Sequence, residues 1–129
     1  HIPNVRTYVA VDGGMTDNIR PALYGAKYTA VLANKMNSDE ELKKVRVVGK
    51  LCESGDILID EIELPNPQKD DILCVFNTGA YNYSMSSNYN RVKKPAMILV
   101  NNSQSDIIIN RETFEDLTRN DIIPRRFES

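Results

Sequence analysis

The sequence has one histidine and two cysteines among its 129 residues, and long apolar runs are missing. His1, as the only histidine, cannot supply a catalytic triad or a metal cluster. Two cysteines allow one bridge, which does not resemble a disulfide scaffold, so we expect a reducing, cytoplasmic location. Because no apolar run approaches the roughly 20 residues that cross a bilayer, we expect no membrane partner.

A strong excess of either charge is also missing. The chain has 16 Lys and Arg against 18 Asp and Glu, with the signs interspersed. The basic cluster Arg91, Lys93 and Lys94 is too short for a nucleic-acid surface, so no nucleic-acid partner is expected. The start at His1 has neither an initiator methionine nor a signal-like apolar region, so we expect the chain to begin inside a longer protein.

Short apolar runs between breaker clusters predict a mainly β fold. Length and an apolar fraction of 41% fit one domain, residues 1–129. Residues 79–90 are expected to form a loop or short helix, and Asn110 is expected to cap a helix that continues through Arg119. We predict a β-sandwich or barrel with one or two short helices. The predicted strands are 5–11, 27–33, 45–51, 57–64, 72–76, 96–100 and 107–109, the last two forming a hairpin.

Three compact runs carry the candidate chemistry, at residues 12–24, 51–56 and 77–81. In the first run, Arg20 and Tyr24 are four residues apart, and Pro21 is suited to open a helical turn that puts both on one face. A guanidinium fork and a neutral hydroxyl donor together suit a carboxylate. The alternative is a surface arginine beside a tyrosine that packs in the core.

Cys52 is predicted to end a strand and to enter a turn at Gly55, where its thiol faces a cleft and serves proton transfer. The alternative is the common fate of a free cysteine, burial as a small apolar residue, and Cys74 is assigned to the core in that way. The sequence leaves open how Glu53 is oriented relative to Cys52. Asp56 is expected to hydrogen-bond the backbone of the turn.

The three runs together resemble the carboxyl-terminal domain of the diaminopimelate decarboxylases, and the resemblance extends from about Val5 to Phe127. It rests on Asp12-Gly13-Gly14-Met15-Thr16-Asp17-Asn18-Ile19-Arg20-Pro21-Ala22-Leu23-Tyr24, Cys52-Glu53-Ser54-Gly55-Asp56 and Asn77-Thr78-Gly79-Ala80-Tyr81. It implies decarboxylation of meso-2,6-diaminopimelate to L-lysine with pyridoxal 5′-phosphate as cofactor. It also implies an amino-terminal (β/α)₈ barrel that holds the cofactor's lysine. That barrel is not in this chain, so we expect the chain alone to be inactive.

The same resemblance implies a role for each matching residue. Cys52 donates a proton to the substrate-derived carbanion, and Glu53 contacts the distal ammonium group of the substrate. Arg20 and Tyr24 hold the distal carboxylate. Tyr81 reaches the cofactor phosphate and also contacts the substrate. In a homodimer with shared active sites, Cys52 and Glu53 would complete the partner's site, while the other three residues serve their own.

Two alternatives remain open at this point. One is an ornithine, arginine or carboxynorspermidine decarboxylase of the same fold type. Arg20 argues against the first two, because a diamine-producing enzyme has no distal carboxylate to pair with it, and a buried unpaired arginine is costly. The other is a non-catalytic dimerisation module, which predicts loss of Cys52, Glu53 or Tyr81, yet all three are present.

Overall fold

A computed structural model describes residues 1–2 and 6–127 and shows a mainly β fold. The chain divides into two compact units, residues 1–86 and 87–129. Within the described residues, no helix has the length and apolar character that crossing a membrane requires. The first unit contains β1 (Tyr8–Ala10), α1 (Arg20–Tyr24), β2 (Ala30–Leu32), β3 (Leu42–Val48), β4 (Ile57–Pro65), β5 (Leu73–Val75) and α2 (Asn82–Met85).

The first unit is built from two small sheets. In the larger sheet, β3 lies between β1, which runs parallel to it, and β4, which runs antiparallel. The second sheet is the antiparallel pair β2 and β5. In β3 alternate residues point inward, as the period of two requires, whereas a register shift in β4 leaves the adjacent Leu58 and Ile59 both buried. Residues of both sheets share two buried clusters. These clusters are Ala30, Val47, Leu58 and Ile59, and Leu32, Val45 and Leu64.

Two sequence predictions in this unit are wrong. The third strand was expected to run to Leu51, but β3 ends at Val48, because Gly49 donates its N–H to the carbonyl of Asp56 and begins a turn. Cys74 was expected in the core, but it is exposed. Leu73 and Val75 pack against the buried clusters, so the alternation of a strand places Cys74 on the outer face.

The ends of the first two strands also differ from expectation. β1 begins at Tyr8, and the predicted start, Val5, lies outside the described residues. β2 begins at Ala30, three residues after the predicted start at Lys27. β4 begins at Ile57 as predicted and ends one residue later than predicted. The sequence therefore predicted where the strands of the first unit lie along the chain more accurately than where each strand begins and ends.

The second unit contains the predicted hairpin, formed by β6 (Met97–Asn101) and β7 (Gln104–Ile109). Asn102 and Ser103 alone make its turn, both with positive φ, which is the conformation of a two-residue hairpin turn. α3 (Phe114–Thr118) follows, and the predicted cap at Asn110 is wrong. Thr113 caps the helix instead, because Asp116 lies three residues on and completes a capping box with it.

Candidate active-site loops

The helical turn expected from Pro21 is present as α1, and it places Arg20 and Tyr24 side by side. The Arg20 Cζ atom lies 5.4 Å from the centre of the Tyr24 ring. Gly25, with φ of 62°, ends the helix in the left-handed conformation that glycine adopts without strain. Tyr24 is 64% exposed, so the alternative of a core-packed tyrosine is wrong. The pair is therefore available to a ligand from solvent.

Sequence reasoning missed one partner of Arg20. The Nε–H of Arg20 donates to the hydroxyl of Tyr28 at 3.1 Å. The Tyr28 ring is partly buried and packs against the cluster that contains Ala30 and Val47. Tyr28 falls in a predicted strand, where an aromatic residue indicates packing of its ring. The sequence therefore did not predict that its hydroxyl contacts Arg20. The left-handed Gly25 is the feature that turns the chain after the helix and before Tyr28.

Cys52 lies in the connection between β3 and β4, four positions after the last residue of β3, and it is exposed. The expectation that it ends a strand is therefore wrong, as is the alternative that it is buried. Tight hydrogen bonds shape this connection. The N–H of Glu53 donates to the carbonyl of Leu51 at 2.8 Å, and the N–H of Asp56 donates to the carbonyl of Glu53 at 3.1 Å.

The orientation of Glu53, which the sequence left open, is visible in the loop. Its Oε1 atom accepts from the N–H of Gly55 and from the hydroxyl of Ser54, each at 3.4 Å. The carboxylate therefore leans along the turn toward Gly55. Glu53 is exposed, so a ligand cation can reach its carboxylate from solvent.

Asp56 is the buried anchor of the same connection, with 4% of its surface exposed. Its Oδ2 atom accepts from the N–H of Leu51 at 2.8 Å, which confirms the expected contact with the turn backbone. Its Oδ1 atom accepts from the N–H of Met15 at 2.6 Å, a contact across 41 residues that sequence reasoning missed. Asp56 therefore joins the loop that carries Cys52 to the loop that leads to Arg20.

Two glycines leave room for this carboxylate. A Cβ atom at Gly49 would lie 2.2 Å from Asp56 Oδ2, and one at Gly14 would lie 3.0 Å from Oδ1. A Cβ atom does not approach a non-bonded oxygen as closely as the first distance, so an alanine at position 49 requires Asp56 or the backbone to move. Gly14, in the pair that the sequence assigned to a turn, thus serves close approach to Asp56.

Asn82, the residue that follows the third run, contacts the first run at Asp17. The carbonyl of Asp17 accepts from the Nδ2 of Asn82 at 2.9 Å, and its Oδ2 accepts from the N–H of Gly14 at 2.9 Å. Burial raises the pKa of the Asp17 carboxyl above its ordinary value, opposed in part by the Gly14 N–H and the charge of Lys50. Residues 14–18 of the first run therefore contact the second run, through Asp56, and the residue that follows the third run, Asn82.

Tyr81 immediately precedes α2 and is 70% exposed. Gly79, two residues earlier, has φ of 78°, which favours glycine at that position. An exposed phenol hydroxyl is a suitable donor to a phosphate oxygen, so the side chain fits the contact that the resemblance implies. For metals, no cluster of three or more His, Cys, Asp or Glu side chains occurs among the described residues.

Comparison with known proteins supports the resemblance. Residues 2–79 match the family model described as the carboxyl-terminal sheet domain of pyridoxal-dependent decarboxylases. The chain belongs to this family. It is 53% identical to the diaminopimelate decarboxylase of a Synechocystis strain, over 99% of this chain and 27% of that protein. It is 58% identical to the Bacillus methanolicus enzyme of the same name, over 86% of this chain and 26% of that protein.

Solved structures agree with this assignment. A diaminopimelate decarboxylase from M. jannaschii in complex with L-lysine superposes with a TM-score of 0.89 at 36% identity, over 98% of this chain and 28% of that one. An arginine decarboxylase of a Paramecium bursaria Chlorella virus shares only the fold, with a TM-score of 0.59 at 18% identity, over 65% of this chain and 23% of that one. The chain spans about a quarter of the length of the curated relatives that it matches.

Proposed function

We propose that this chain is the carboxyl-terminal sheet domain of a decarboxylase that converts meso-2,6-diaminopimelate to L-lysine and carbon dioxide. The observation that carries the proposal is the partly buried Arg20 beside the exposed Tyr24, a donor set suited to a carboxylate at the far end of a substrate. The relatives at 53% and 58% identity, both named diaminopimelate decarboxylase, support it. So does the related structure that holds L-lysine, the product of this reaction.

Each of the five candidate side chains has a part in the proposed reaction. Arg20 and Tyr24 bind the distal carboxylate, and Glu53 pairs with the distal ammonium group. Cys52 delivers its S–H proton to the carbon that loses carbon dioxide and is reprotonated from solvent. Tyr81 donates a hydrogen bond to the cofactor phosphate and contacts the substrate. Pyridoxal 5′-phosphate supplies the electron sink for the bond cleavage when it is bound.

We also propose a homodimer in which Cys52 and Glu53 complete the partner's site. This arrangement can be tested by mixing two full-length proteins that carry this chain, one with Cys52→Ala and the other with Arg20→Ala. After subunit exchange, a mixed dimer would contain one intact site, and an equal mixture should regain about a quarter of wild-type activity. No recovery would contradict shared sites, because each site would then draw both residues from one subunit.

The substrate is tested by carbon dioxide release from the full-length, cofactor-loaded protein. We expect kcat/KM for meso-diaminopimelate to exceed that for ornithine or arginine by at least about 10²-fold, because a site built to pair a carboxylate rejects substrates that lack one. Equal or better turnover of ornithine or arginine would favour a related decarboxylase. Turnover of none of the three would favour a non-catalytic module.

Two further expectations belong to this proposal. The domain by itself should not decarboxylate diaminopimelate, because the family's cofactor lysine is expected on a separate barrel. We also place the protein in the cytoplasm, where its two cysteines, both free and exposed, would remain reduced.

A further inference from the structure

The guanidinium of Arg20 is held on two sides by tyrosines. The Tyr24 ring lies beside it, with 5.4 Å between the ring centre and Cζ. The Tyr28 hydroxyl accepts its Nε–H at 3.1 Å. An arginine has one N–H on Nε and two on each terminal nitrogen. The contact with Tyr28 therefore uses the only hydrogen on Nε. A carboxylate would then be bound by the edge of the guanidinium that Nη1 and Nη2 form.

Packing in the core restricts the Tyr28 side chain. Its ring packs against the buried cluster that contains Ala30, Val47, Leu58 and Ile59. The start of α1 is fixed as well, since the N–H of Arg20 faces the side-chain oxygen of the buried Asn18 at 3.4 Å. Both ends of the Arg20–Tyr28 contact are thus attached to the folded body of the first unit.

We infer that Tyr28 is a positioning residue for Arg20, which it turns so that a substrate carboxylate is bound end-on by Nη1 and Nη2. This inference rests on the proposed function and adds a specificity determinant to it. A planar fork gains from being oriented before the ligand arrives, because less rotational freedom is lost on binding. A substrate without a distal carboxylate gains nothing from the same orientation.

Tyr28→Phe in the full-length, cofactor-loaded protein tests the inference, because it keeps the packed ring and removes only the hydroxyl. We expect KM for meso-diaminopimelate to rise about 5- to 10-fold, more than any fall in kcat. This rise is less than the loss of a direct charged contact would give, because the Tyr28 hydroxyl orients Arg20 without touching the substrate. The matched control is Tyr8→Phe, since Tyr8 also lies against an arginine, with Arg46 Cζ 6.0 Å from its ring centre. That control should leave KM unchanged.

A double-mutant cycle separates positioning from packing. In an Arg20→Lys background there is no Nε–H, so adding Tyr28→Phe should have no further effect on KM. An equal rise in both backgrounds, or an unchanged KM in the single variant, would overturn the role of Tyr28. A wild-type protein that does not decarboxylate diaminopimelate would instead overturn the proposed function.

Nuclear magnetic resonance of arginine Nε groups gives a readout that does not depend on turnover. In the full-length protein with ¹⁵N-labelled arginine, the Arg20 resonance is identified by its loss in Arg20→Lys. Its Nε–H should exchange with solvent more slowly than those of exposed arginines, and faster in Tyr28→Phe than in wild type. Equal exchange in wild type and Tyr28→Phe would overturn the hydrogen bond on which the inference depends.

Discussion

Cys52 and Asp56 lie four residues apart in one connection, yet their environments are opposite. Cys52 is exposed, whereas Asp56 is buried and accepts two backbone hydrogen bonds. The same contrast recurs in the first run, where Tyr24 is exposed and Gly14 is buried against Asp56. One set of residues fixes the shape of these loops, and another set presents chemical groups to solvent.

The contrast predicts that substitutions in the two sets have different consequences. Changes at the buried set should lower the free energy of unfolding. Changes at the exposed set should alter turnover or binding while leaving the fold intact, because surface substitutions away from structural features usually change stability by no more than about 0.5 kcal/mol.

The largest effect on stability is expected for Asp56→Ala. The backbone N–H groups of Met15 and Leu51 would lose their acceptor, at a cost of about 1–3 kcal/mol each, so unfolding should become about 2–6 kcal/mol easier. Denaturant unfolding of this chain measures the change. Asp39→Ala, which removes an exposed carboxylate, is the matched control and should be nearly neutral. Equal stability of the two variants would contradict the buried role.

Arg20→Ala tests the proposed binding role of Arg20, whose side chain is partly buried beside the exposed Tyr24. Loss of a charge-assisted hydrogen bond is worth about 1.5–3 kcal/mol, so kcat/KM for diaminopimelate in the full-length protein should fall roughly 10- to 150-fold. Steady-state kinetics with diaminopimelate and with ornithine gives the comparison. If turnover of ornithine falls by the same factor, Arg20 does not act on the distal carboxylate.

Gly49→Ala sharpens the contrast without removing any polar group. Its new Cβ would lie 2.2 Å from Asp56 Oδ2, so the carboxylate or the backbone must move, at about 1–3 kcal/mol of unfolding free energy. Gly13→Ala is the matched control, because its Cβ would meet Asp17 Oδ2 at an ordinary 3.4 Å. Thermal and denaturant unfolding measure the stability of both variants. Equal losses of unfolding free energy would contradict the close approach of Asp56 to Gly49.

The smallest effect is a pH dependence at Asp17. Its raised pKa means that the charged form is disfavoured in the folded state, so this penalty is present at neutral pH and is relieved as pH falls through the folded pKa. Asp17→Asn removes the charge and keeps an oxygen for the Gly14 N–H. The variant should match or exceed wild-type stability at pH 7, and its advantage should shrink on acidification. An advantage that grows as pH falls would contradict the shift.

The sequence predicted features that depend on local spacing. Pro21 indicated the turn that brings Arg20 to Tyr24, and short apolar runs between breaker clusters located β4 and the hairpin. The sequence prediction was wrong where the same local pattern is compatible with either a buried or a half-exposed strand. The apolar run around Cys74 indicated a strand buried on both faces, but only one face of β5 is covered.

Contacts between distant residues gave no local signal. Asp56 meets Met15 across 41 residues, and Arg20 meets Tyr28 across eight, beyond the reach of one helical turn. The exposure of Cys52 also depended on where β3 ended, which the Gly49 hydrogen bond decides. The motifs therefore indicated which residues form the candidate site, and the fold was needed to separate residues that bind from residues that position.

The most direct measurement is kcat of Cys52→Ala in the full-length protein, taken together with its unfolding curve. Removal of the proposed proton donor should lower kcat about 10²-fold or more, at the low end of general-acid contributions, while stability stays within about 0.5 kcal/mol of wild type because Cys52 is exposed. An unchanged kcat, or a loss of activity that only follows a loss of stability, would contradict the account.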